Sequence, residues 1–164
     1  MARFEGKSDP QIDTWIKHHE KENATDLPFY RELLEERARR QQSKHKLNFE
    51  TSLEHLKQAA INQTCTTYGA LASASGVEWS QARHQMNGAN GHLDRLLEIC
   101  HARGLPPLTA ICVNQSHFDS GELGEDALVG FATAAKRLGM PVVEERKFHH
   151  DCRDQCWTWG RAQD

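Results

Sequence analysis

The sequence predicts an α+β fold, mainly helical. It divides into a helical N-terminal segment, residues 1–64, and a second part, residues 65–164, built around a helix-turn-helix. Three observations predict this. Apolar residues recur at helical spacing along most of the chain. The stretch "TCTTYGALASASGVEWSQARHQM" (65–87) reads as a short helix, a Gly-containing turn and a second helix. β-forming residues concentrate in two short runs, "LTAICVN" (108–114) and "MPVVEER" (140–146).

Each element has a local reason. Ser8-Asp9-Pro10 supplies a capping side chain and a proline in the first turn, so a helix starts there with Ile12, Trp15 and Ile16 on one face. "ATDLPFYRELLEERARRQQ" repeats the device, with Thr25 or Asp26 as cap, Pro28 just inside, and Phe29, Tyr30, Leu33 and Leu34 as the apolar stripe. Phe49, Leu53, Leu56, Ala59 and Ala60 predict a third helix over about 49–62. Leu93, Leu96, Leu97, Cys100 and His101 predict another, ended by Gly104 and Pro106. "QSHFDSGELGED" is a polar loop, and "EDALVGFATAAKRLG" an amphipathic helix that the acids Glu122, Glu125 and Asp126 are expected to cap. In "KFHHDCRDQCWTWG", Phe148, Cys152, Cys156 and Trp159 fall on one helix face.

Composition narrows the function classes. Apolar residues are 38% and charged residues 26%, which suits a folded domain rather than a disordered chain. No apolar run has the length of a membrane span and the N-terminus has no apolar signal core, so a cytoplasmic location is expected. Five scattered cysteines argue for reduced thiols rather than a disulfide framework. The net charge of −3 arises in the last third, where 9 acidic groups face 6 basic ones. Any nucleic-acid contact must therefore come from a local patch.

The helix-turn-helix supplies the candidate site. Leu71 and Ala72 provide the small apolar contact, Gly76 permits the turn, and Val77, Trp79, Ala82 and Met86 fill the space behind the second helix. Thr66 or Thr67 is the expected cap of the first helix and Ser80 of the second. Gln81, Arg83, His84 and Asn87 then point outward, and these side chains bond base edges or phosphates in a major groove. The one basic concentration, "EERARRQQSKHK" (35–46), offers Arg37, Arg39, Arg40, Lys44 and Lys46 for flanking phosphates; its alternative reading is a solvated helix end.

The phrase "TTYGALASASG", followed by a second helix and "LPPLTAICVN", resembles the winged helix-turn-helix domain of alkylguanine-DNA alkyltransferases and alkyltransferase-like proteins. The resemblance covers residues 66–114. It implies a winged-helix fold with strands near 108–114 and 140–146 and a wing over 115–124. It also implies a phosphate contact by Tyr68, and Thr67 beside it. A less definite likeness to bacterial and phage proteins with a similar Pro-Pro-Leu phrase makes a host-defence setting compatible. Two departures bear on chemistry. The family's Pro-Cys-His-Arg site is replaced by Ile111-Cys112-Val113-Asn114, so Cys112 has no adjacent base. The family's arginine finger falls at Asn90.

No P-loop, dinucleotide glycine motif or serine elbow is present, and no catalytic residue or cofactor is assigned. His149, Cys152 and Cys156 invite a metal reading, but both cysteines coincide with an apolar face, and core packing is the expectation. Paired histidines such as His149-His150 are expected at the surface. The expected function is non-enzymatic binding to double-stranded DNA. The alternative is a protein–protein adaptor, and last comes an alkyltransferase-type enzyme using Cys112.

Overall fold

The computed structural model describes residues 3–163. Eight helices are present among them, with one two-stranded sheet. Helices α1 (Asp9–Lys21), α2 (Pro28–Gln42) and α3 (Phe49–Ile61) form the N-terminal segment. Strand β1 (Thr66–Thr67), α4 (Tyr68–Ala74), α5 (Trp79–Met86) and α6 (His92–Ala102) follow. A 3₁₀ turn (Leu108–Ile111) leads into β2 (Cys112–Val113), and a second (Gln115–His117) leads towards α7 (Glu125–Arg137) and α8 (Glu145–Arg161).

The expected start signals operate at α1 and α4. Ser8 accepts from the Gln11 amide at 3.2 Å, and Thr67 accepts from the Ala70 amide at 3.1 Å. Elsewhere the caps differ. Helix α2 starts after Leu27 with no side-chain cap, and Thr25 is buried, its carbonyl accepting from His101 Nε2 at 2.8 Å. Helix α5 starts after Glu78, so Ser80 caps nothing. Gly124, not an acid, precedes α7; Glu125 and Asp126 lie in its first turn, where they suit the helix dipole.

One buried cluster runs through both parts of the chain. Helix α2 packs on α6, and α3 packs on α8, so residues 1–64 and 65–164 share a core that includes Tyr30, Leu33, Leu53, Leu71, Leu96 and Cys156. The α3–α8 crossing is close. A β-carbon on Gly160 would collide with the Ala60 carbonyl, so glycine is what lets the two backbones meet.

Both expected strands are corrected. Only Cys112–Val113 of the first run is extended, paired in parallel with Thr66–Thr67. Pro106 and Pro107 have no amide donors, the Ala110 amide closes a turn onto Pro107, and α8 claims the carbonyls of Pro107 and Ala110 through Cys156 and His149. The second run, 140–146, forms no strand. Met140 closes α7 by donating to Ala135, Pro141 lacks a donor, and Glu144 caps α8. The segment proposed as a wing, 115–124, holds a 3₁₀ turn and no strand.

Candidate nucleic-acid interface

Helix α4, the turn through Gly76 and helix α5 form the helix-turn-helix unit. Gly76 takes a positive φ of 73°, and the Val77 amide returns to the Ala72 carbonyl, closing the first helix. Leu71, Ala72, Ala82 and Met86 are fully buried, which fixes the rotation of α5 about its axis. That rotation leaves Gln81, Arg83, His84 and Asn87 exposed. Ser80, His84 and Asn87 form one row along the helix; Trp79 and Arg83 form another.

Trp79 departs from expectation. Its side chain was expected behind α5, yet the residue is 42% exposed and stands on the outward face beside Arg83. Ala82 and Met86 carry the buried face, with Val77 partly buried beside them; Trp79 shares their i, i+3, i+7 spacing, so the sequence pattern alone gives no sign that the first residue of the helix stays exposed.

The basic stretch behaves differently from α5. Arg37 is turned inward, bonding Glu98 at 2.9 Å and Asp13 at 3.1 Å. Arg39 and Arg40 both engage Glu36, and Arg40 also bonds Asp9 and the carbonyls of Phe4 and Lys7. Lys44 pairs with Asp9. These four cations are neutralised by acids from the N-terminal helices and α6, as a solvated and partly buried helix end. Lys46 is the exception: its Nζ donates to Gln81 Oε1 at 3.0 Å, so it joins the face of α5.

Thr67 and Tyr68 lie deeper than a phosphate contact requires. Thr67 is a buried cap, and Tyr68 is 7% exposed, with burial pushing its phenol up. Tyr68 instead walls a cavity of about 620 Å³ between the segment after α5 (Asn87–Ala89), α6 and α7. Leu97, Asn114, Phe131 and Arg137 also line it. Asn90, where the resemblance implies an arginine finger, is held in place by Arg95 Nη2 at 2.8 Å and by Gln41.

Cys112 borders the same cavity but is 1% exposed, and burial raises its thiol well above the usual range. Among the described residues no histidine hydrogen-bonds it. No hydrogen-bonded base is therefore in place to draw off its proton, as an activated thiolate needs. The other cysteines are also free and buried, and Cys156 donates to Pro107 O at 3.2 Å.

His149 is another correction: it is fully buried on α8, held to the Ala110 carbonyl, while His150 meets Glu122 at the surface. No helix among the described residues is long and apolar enough to cross a membrane. Comparison with family models, curated proteins and solved structures finds no match.

Proposed function

We propose that this protein binds double-stranded DNA without performing chemistry on it, with α5 of the helix-turn-helix entering the major groove. The observation that supports this most is the outward face of α5. Gln81, Arg83, His84 and Asn87 are exposed together, and no carboxylate among the described residues pairs with Arg83. Lys46 adds a second cation at the edge of the same face. In this reading Arg83 and Lys46 meet phosphates or guanine edges, while Gln81 and Asn87 read base edges. Trp79 lies beside them, placed to pack on sugar or base. Arg37, Arg39, Arg40 and Lys44 hold the scaffold and make no contribution to DNA contact.

The test is direct. A fluorescently labelled duplex of random sequence is titrated with the protein at several salt concentrations. The reading requires binding at low salt that weakens steeply as salt rises, because released counterions drive the association. Absence of binding at low salt removes it and leaves the adaptor reading, for which the exposed Trp79 becomes the first residue to test.

A further inference from the structure

One side-chain cluster lies outside the α5 face and its neighbouring cavity. Glu122, in the loop before α7, faces His149 and His150 on α8, and each brings a ligand atom within 4.8 Å of the other two. His149 has no exposure to solvent, and its Nε2 lies 2.8 Å from the Ala110 carbonyl. A carbonyl only accepts, so Nε2 carries the proton and Nδ1 presents a lone pair. That Nδ1 is buried and has no hydrogen-bond partner. A buried orphan acceptor of this kind calls for a partner. Metal-binding histidines show the same arrangement: one ring nitrogen donates to a backbone carbonyl, which fixes the ring, and the other takes the metal.

We propose that Glu122, His149 and His150 bind one divalent transition-metal ion, with zinc the best chemical fit. Two imidazoles and one carboxylate suit zinc and leave a fourth position for water. Tetrahedral zinc with bonds of about 2.0–2.1 Å needs ligand atoms about 3.3 Å apart. His149 is fixed by the core, so closure falls to the half-exposed side chains of Glu122 and His150. His150 Nε2 now lies 2.8 Å from Glu122. On binding, the proton on His150 Nε2 is exchanged through solvent for one on Nδ1, the ring stays neutral, and the metal takes its place at Nε2.

Two arginines share the site. Arg146 reaches Glu122 at 3.1 Å and Arg153 at 3.7 Å, while both also bond loop carbonyls, Leu123 and Gly121 respectively. They orient the loop that carries Glu122 and oppose the ion's charge, which favours modest affinity. The bound ion would staple the loop before α7 to α8.

The experiment titrates the full chain with Zn²⁺ by calorimetry and with Co²⁺ by visible absorption. His150→Ala and Glu122→Gln are compared with His18→Ala, a distant surface control, and circular dichroism checks each fold. The expected result is one-to-one binding, weakened at least tenfold by His150→Ala and by Glu122→Gln and unchanged by His18→Ala. In the unaltered protein, Zn²⁺ shifts the His149 Nδ1 resonance in ¹⁵N NMR. A fitted stoichiometry other than one, equal affinity in all variants, an unmoved His149 resonance, or a sulfur-to-cobalt charge-transfer band would each overturn the proposal.

Discussion

Lys46 Nζ donates to Gln81 Oε1 at 3.0 Å, joining the loop between α2 and α3 to the outward face of α5. The bond brings a cation from the N-terminal segment to a helix whose own charges are few. It also separates Lys46 from the cations just before it, which face acids instead.

Lys46→Met is expected to weaken duplex binding while leaving stability within about 0.5 kcal/mol, because the residue is exposed and its contact among the described residues is the neutral Gln81 amide. Binding by anisotropy and unfolding by urea separate the two effects. Unchanged binding would remove Lys46 from the interface.

Glu98 is 2% exposed and receives hydrogen bonds from Arg37 on α2 and Arg95 on α6. Glu98→Gln keeps the shape but removes the paired carboxylate from the largely buried Arg95 and leaves Arg37 with Asp13 alone. A loss of about 3–5 kcal/mol is expected, seen as a lower urea midpoint. A loss under about 1 kcal/mol would mean solvent already screens the network.

His92 makes stability fall in acid. It is fully buried in a cluster of three rings with His45 and Phe49, and burial with the nearby His45 lowers its pKa to about 3. The folded value lies below the unfolded value of about 6.5, so below pH 6.5 the unfolded chain binds the extra proton. Its contribution is complete above about pH 6.5 and is lost as pH falls towards 3. From pH 7 to 5 the expected loss from this group is about 2 kcal/mol. His92→Phe in a Ser52→Ala background removes both the titration and the hydroxyl it bonds at 2.8 Å, and should flatten that slope. An unaltered slope would assign the acid sensitivity elsewhere.

Thiol labelling tests the absence of a cysteine nucleophile. All five cysteines are buried, and burial raises Cys100 to about 11 and Cys152 to about 12, with Cys112 higher still. Iodoacetamide should leave the native protein's thiols unmodified and label all five after unfolding in denaturant, read by mass spectrometry. Rapid labelling of Cys112 in the native state would revive the alkyl-transfer reading.

Much of the helical frame was legible in the chain because helices announce themselves locally. Ser8 with Pro10, and Thr67 before its short helix, act within three residues of where they stand. The strands were misread because β-forming composition says nothing about a partner. Val143 sits in such a run yet is fully exposed, with no neighbouring strand to pair. The basic stretch was ambiguous for a similar reason: Arg37 and Lys44 are neutralised by Glu98 and Asp9, far away in sequence. His149 was readable in principle, since it precedes Cys152 and Cys156 by three and seven residues on one buried row. The acceptor above it, Ala110, was not.

The most direct test compares salt dependence for Arg83→Ala and Arg39→Ala on the same labelled duplex. Both remove one exposed arginine, but only Arg83 lies on the outward face of α5; Arg39 is paired with Glu36. Arg83→Ala should weaken binding and reduce the slope of log affinity against log salt by about one, with Arg39→Ala close to the unaltered protein. Equal slopes for all three proteins, or a larger loss from Arg39→Ala, would contradict a DNA-facing α5.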